Sequence, residues 1–147
     1  MLAVGEGGLL DSGYELVLET PASEDYRRLR VAAGLSAKSE EAAAIGLPNT
    51  IHAVVIKKDG RVVGMGRVIG DRGLFLQVCD IAVEPGHQGR GLGKAIVGAL
   101  MEAVHASTPE TAYVSLIADG KAKFLYAQFG FVSVAPESEG MCLYIRR

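Results

Sequence analysis

The apolar positions of this chain change their spacing at its glycines and prolines, and the changes mark out elements. From Tyr14, "YELVLET" alternates in the manner of a strand. "TPASEDYRRLRVAAG" then places Tyr26, Leu29 and Ala33 on one helical face. Thr20 fits an N-cap, Pro21 the first helical position, Glu24 and Asp25 the first turn, and Gly34 the stop. "SAKSEEAAAIGLP" predicts a short second helix, capped by Ser39 and halted by Gly46 and Pro48. Three strand-like runs follow: "IHAVVIKKDG", closed by the hairpin signal Asp59-Gly60, then "RVVGMGRVIGDRG", then "LFLQVCDIAVEP". Gly64 and Gly66 in the middle run predict a bulge or the close approach of another element. Past a glycine-rich loop, Ile96, Val97, Leu100, Met101 and Val104 form the stripe of a helix packed on a sheet. "TAYVSLIAD" reads as a strand and "GKAKFLYAQFG" as a helix ended by Gly130. "FVSV" and "MCLYIRR" read as a closing strand pair.

This order is not a strict alternation of strand and helix. It predicts an α/β fold of the α+β type, a mixed sheet flanked by helices, in one domain over residues 1–147. The length suits one domain with a sizeable core. Apolar residues make up 49% and charged residues 22%, an ordinary globular balance. Fifteen Lys and Arg against seventeen Asp and Glu leave a net charge of −2, which argues against a nucleic-acid partner bound through a basic face. Two cysteines, Cys79 and Cys142, do not make a disulfide scaffold, so a reduced, cytoplasmic protein is expected. The N-terminal "MLAVGEGGLLDSG" lacks the basic start and apolar run of a signal peptide, and no stretch approaches the ~20 apolar residues of a membrane span. His52, His87 and His105 show no metal-ligand spacing, and no metal is expected.

The chemistry concentrates in "EPGHQGRGLGKAI", Glu84 to Ile96. Here Gly86, Gly89, Gly91 and Gly93 lead from a strand into a helix, with Arg90 and Lys94 beside them. A helix N-terminus offers unpaired amides and a partial positive charge, and glycines let an anion approach the backbone, so the loop fits a phosphate or pyrophosphate. A Walker loop fails, because Gln88 stands where its first glycine belongs and Ala95 where its Ser or Thr belongs. The dinucleotide pattern fails, because its third glycine would be Lys94 or Ile96. The pattern Gln/Arg-x-x-Gly-x-Gly/Ala is met in full by Gln88-Gly89-Arg90-Gly91-Leu92-Gly93.

On that motif the chain resembles the GNAT superfamily of acetyl-CoA-dependent N-acetyltransferases. A second block, "DGKAKFLYAQFGF", is similar to a later family segment, with Ala122, Tyr126, Gly130 and Phe131 matching and Asp119 standing where many members carry Asn. The resemblance runs from about Tyr14 to the end. It implies a mainly antiparallel central sheet flanked by helices, with acetyl-CoA as co-substrate. It implies that Ile81, Ala82 and Val83 pair through their main chain with the pantetheine arm, where Asp119 also lies. Gln88, Gly89, Arg90, Gly91, Leu92, Gly93 and Lys94 would carry the pyrophosphate, and Tyr126 would return a proton to the coenzyme A sulfur. The acceptor would be set by Leu35 to Thr50 and by the final strands, with Glu137 and Glu139 nearby. A homodimer is expected from the resemblance alone.

Acetyl transfer to an amine also needs a proton acceptor. Asp80 is the first candidate, an acid inside an apolar strand where a charge needs a partner or a purpose. It could equally hold a cationic substrate or be a structural acid. His52 and Gln77 are weaker candidates. Cys79 reads as a small buried hydrophobe, since no activating base is visible beside it. The expected activity is acetylation of a small primary amine by direct attack. The alternatives are an acyl-CoA sensor without turnover and an acetyltransferase acting on protein Lys or N-termini.

Overall fold

The computed structural model of the chain describes residues 7–10 and 13–147. They fall into two compact units, the first ending at Leu116 and the second spanning Ile117–Arg147. The first unit carries a six-stranded sheet in sequential order. Its strands are β1 Gly7–Leu9, β2 Tyr14–Val17, β3 His52–Lys58, β4 Arg61–Gly70, β5 Phe75–Val83 and β6 Tyr113–Ser115. Neighbours run antiparallel except β5 and β6, which are parallel. Helices α1 Ser23–Ala32, α2 Glu40–Gly46 and α3 Leu92–Ser107 complete the unit. This is the mixed sheet with flanking helices that the element order predicts, mainly antiparallel as the resemblance implies.

Each face of the sheet has its own helices. Tyr26 and Leu29 of α1 and Ala43 of α2 share one apolar cluster with Val55, Val62, Met65 and Ala82. On the other face the predicted stripe of α3 is buried in full, with Ile96 and Val97 at 0% exposure. The hairpin between β3 and β4 turns at Asp59 and Gly60, both at positive φ (50° and 79°), as a two-residue turn of this composition requires. Gly66 meets both predictions made for it. The β4–β5 register shifts there, and a Cβ on Gly66 would lie 2.5 Å from Ile96 Cγ2 and 2.7 Å from Ile81 Cδ1. The glycine lets α3 sit close on the sheet.

Four boundaries differ from expectation. Strand β1, with two glycines in three residues, has no alternation to read. Helix α1 is flanked by Ala22, not Thr20, and begins at Ser23 without a side-chain cap; Glu24 and Asp25 still place negative charge at its positive end. Strand β6 is only Tyr113–Ser115. The predicted closing pair is not formed: among the described residues, 131–134 and 141–147 carry no strand. Alternation makes a strand only where a neighbouring edge accepts its backbone hydrogen bonds, and these segments pair with none. Val132, Leu143 and Ile145 are accordingly 85%, 82% and 75% exposed. In the second unit the expected helix forms as α4, Ala122–Ala127, and the chain turns out of it at Gly130 (φ 92°).

Candidate active site

Strands β5 and β6 pair for only three residues, Phe75–Tyr113, Leu76–Val114 and Gln77–Ser115. Beyond Gln77, β5 runs on to Val83 with no ladder on its β6 side. Its other side stays paired to β4, ending at Val83 opposite Gly64. Ile81, Ala82 and Val83 therefore lie on a strand held along one edge and unladdered along the other. Between the pairs Met65–Ala82 and Arg67–Cys79, Gly66 of β4 faces two residues of β5, Asp80 and Ile81. This is a β-bulge, and Asp80 takes its left-handed position at φ 58°.

Past Val83 the chain makes a short 3-10 turn, Pro85–His87, and crosses Gln88 to Gly91 into α3. Gly89 and Gly91 stand at φ 77° and 78°. An added Cβ would meet nothing within 4 Å at either, so backbone conformation, not crowding, calls for glycine. The first helical bond runs from the Ala95 amide to the Gly91 carbonyl, 3.1 Å. The Leu92, Gly93 and Lys94 amides precede that ladder, and no side-chain cap covers them at Gly91. The Gln88 side chain turns back instead, donating from Nε2 to the Val83 carbonyl at 2.9 Å. Arg90 and Lys94 are exposed beside the open amides. The base of the loop is tied down: Glu84 Oε1 accepts from Arg28 and from Arg61, each at 2.6 Å, and His87 Nδ1 lies 2.7 Å from the Tyr14 hydroxyl.

Asp80 sits at the centre of a second network. Its side chain is 6% exposed. Oδ1 accepts from Arg30 Nη1 at 2.5 Å and from the Tyr26 hydroxyl at 3.1 Å, and Oδ2 accepts from Arg67 Nη1 at 2.6 Å. Burial pushes its carboxyl up, but the hydrogen bonds and charges of Arg67 and Arg30 outweigh that and hold it below the ordinary range. Burial, and then the Asp80 charge, push the Tyr26 phenol up to about 12. Among the described residues no buried side-chain nitrogen or oxygen lacks a hydrogen-bond partner. A general base works best with a pKa near the operating pH, and this carboxylate is tuned away from it.

The other candidates separate. His52 Nε2 lies 2.9 Å from Ser107 Oγ, at the end of α3 remote from the glycine loop. The helix has 16 residues, so the two ends are about 24 Å apart at 1.5 Å per residue. Gln77 pairs with Ile69 and Ser115 where β5 and β6 are still joined. Cys79 is held protonated: burial and the adjacent Asp80 push its thiol up to about 12. In the second unit, Tyr126 is buried at 8%, with the Phe131 ring edge-on at 6.2 Å. Burial, and then the charge of Asp119, raise its phenol above the usual value.

The sequence reading overlooked Arg28, Arg30, Arg61 and Arg67. Arg67 did carry a signal, as a cation within the apolar run of β4, and Arg30 another, one helical turn from Tyr26 on the same face.

The family described as "Acetyltransferase (GNAT) domain" matches residues 23–143. A solved protein of unknown function from meticillin-resistant Staphylococcus aureus, titled a probable acetyltransferase, is 42% identical with a TM-score of 0.86, over 90% of this chain and 99% of that one. A histone acetyltransferase of Glycine max is 31% identical over 57% of this chain and 36% of its own length. An uncharacterized N-acetyltransferase of Pyropia yezoensis is 29% identical over 69% of this chain and 60% of its own. The chain thus spans about a third to three fifths of the length of these curated relatives. The family match over residues 23–143 shows that the chain belongs to the GNAT acetyltransferases.

Proposed function

We propose that this chain transfers an acetyl group from acetyl-CoA to the primary amine of a small molecule, by direct attack with both substrates bound. The observation that carries the reading is the continuity of the unladdered β5 edge with the open amides of α3. A pantetheine arm is an extended amide chain and fits a strand edge; a pyrophosphate is an anion and fits a helix N-terminus with left-handed glycines. In this reading Ile81, Ala82 and Val83 hold the arm, and the loop from Gln88 to Lys94 holds the phosphates. The co-substrate supplies a thioester. An amide of the β5 edge polarises its carbonyl. Tyr126, protonated at neutral pH, returns a proton to the sulfur. The segment from Leu35 to Thr50 forms part of the acceptor wall.

Calorimetric titration with acetyl-CoA and free coenzyme A, with ATP and NAD as controls, tests the loop. Binding of the coenzyme A pair alone is expected, whereas binding of a nucleotide control or of nothing overturns the reading. Thiol release with ethanolamine, 2-phenylethylamine, spermidine and L-lysine then tests the acceptor class. The Glycine max relative, named a histone acetyltransferase, supports a second reading in which the acceptor is a protein lysine. Faster thiol release with a lysine-rich histone-tail peptide than with any of the four amines would favour it.

A further inference from the structure

Arg67 and Arg30 each reach in two directions. Arg67 donates from Nη1 to Asp80, from Nε to Thr50 Oγ1 at 2.9 Å, and from Nη2 to the Gly46 carbonyl at 3.3 Å. Arg30 donates from Nη1 to Asp80, from Nε to the Ser36 carbonyl at 2.7 Å, and from Nη2 to Ser36 Oγ at 3.0 Å. One end of each guanidinium thus holds the bulge of β5, and the other holds the segment between α1 and β3 at Ser36, Gly46 and Thr50. The Arg67 guanidinium also lies 5.6 Å from the centre of the Tyr26 ring.

Stability alone does not account for this arrangement. Two buried guanidiniums face one carboxylate, and burying ions in such a group is offset only by close geometry; an apolar cluster of equal volume is often as stable or more so. A glycine would take φ 58° without strain, yet an acid stands at the bulge. What the acid and its two arginines add is a hydrogen-bonded link between the bulge of β5 and the Ser36–Thr50 segment.

We propose that Arg67 and Arg30, bridged by Asp80, are positioning residues that lock the bulged edge of β5 to the Ser36–Thr50 segment, and that Asp80 takes no proton in the reaction. The proposal rests on the reading of that segment as acceptor wall. It makes the clamp a determinant of acceptor binding and leaves proton removal from the amine to another group or to water.

A double-mutant cycle with Arg67→Gln, Asp80→Asn and the two combined tests it, read by amide hydrogen exchange and by kinetics with the fastest amine of the panel. Each single change is expected to speed exchange across residues 36–50 but not in α3, and to lower kcat/KM for the amine about tenfold. The acid limb of the pH profile should stay in place in Asp80→Asn, and the loss in kcat/KM for the amine should exceed any loss of coenzyme A affinity, because Glu84 anchors the pyrophosphate loop separately. The double variant should lose much less than the product of the singles. Loss of the acid limb with unchanged exchange over 36–50 would make Asp80 a base and overturn the proposal, as would additive effects. Should Asp80→Asn alone fail to fold, with two arginines left unbalanced, the double variant and Arg67→Lys carry the test; a full wild-type profile in the double variant sinks the clamp. Wild-type protein that binds no coenzyme A removes the acetyltransferase reading instead, and hydrogen exchange still reads the clamp.

Discussion

Asp80 and Tyr126 are both buried ionisable groups, and their surroundings move them in opposite directions. The two arginines hold the Asp80 carboxyl below its ordinary value. Its contribution to stability is therefore complete above the unfolded carboxyl value of about 3.9 and is lost as pH falls through the folded one. Thermal denaturation followed downward from neutral pH should show the midpoint dropping below about pH 4, and Asp80→Asn should flatten that drop. Glu84, depressed by the Arg61 hydrogen bond first, leaves a residual slope in the variant. Tyr126 keeps its proton to higher pH than a free phenol, through burial and then the Asp119 charge. If it returns the proton to sulfur, Tyr126→Phe should lower kcat about a hundredfold with coenzyme A affinity unchanged; equal losses in both would remove the acid role. Asp119→Asn takes away a charge that raises the phenol, so the basic limb of kcat should move to lower pH. Asp80 was legible in the sequence because it broke an apolar run, and Tyr126 because it fell in a motif. The partners of Asp80 were legible only in part: Arg67 interrupts the apolar run of β4 and Arg30 shares a helical face with Tyr26, but only the tertiary fold shows that both turn onto Asp80.

At the scale of elements, the tight contact is that of α3 on β4. A methyl group on Gly66 would press into Ile96, Ile81 and Leu100, the first and last of them at 0% and 1% exposure. Gly66→Ala should therefore cost about 1–3 kcal/mol by overpacking, measured by urea denaturation. At Gly91 the space is open and the backbone is the constraint. Gly91→Ala should cost about 1–2 kcal/mol for a left-handed alanine and weaken coenzyme A binding, read by the same titration. A wild-type affinity in that variant would mean that the turn does not set the amides. The stripe of α3, the Ser39 cap and the Asp59-Gly60 turn were all readable, because each is set by residues close in sequence; Ser39 Oγ accepts from the Ala42 amide at 3.0 Å. The closing strands were not. Val132, Val134, Met141, Leu143 and Ile145 have the right alternation, but pairing depends on an edge elsewhere in the chain, and alternation carries no information about that edge. The parting of β5 from β6 is hidden for the same reason, since "LFLQVCDIAV" reads as one strand regardless of where its neighbour stops.

For the molecule as a whole, a net charge of −2 offers no general attraction to a polyanion such as coenzyme A. The coenzyme A binding proposed above would come from the local field at one helix end, where Arg90 and Lys94 are exposed. Replacing both with Ala should weaken coenzyme A binding and flatten its dependence on salt, with the thermal midpoint unchanged. An unaltered salt dependence would leave the amides alone as the anion site. The fold class and the glycine loop were legible because they depend on order and spacing along the chain; the networks at Asp80 and Glu84 depend on residues far apart that meet only once the sheet has formed. From Val78 to Val83, β5 has an edge with no ladder, and an open strand edge is a template for the strands of other molecules. The extended arm proposed to lie along it would act as a removable guard against self-association. Protein purified and stored with coenzyme A should therefore stay monodisperse for longer than protein stripped of it.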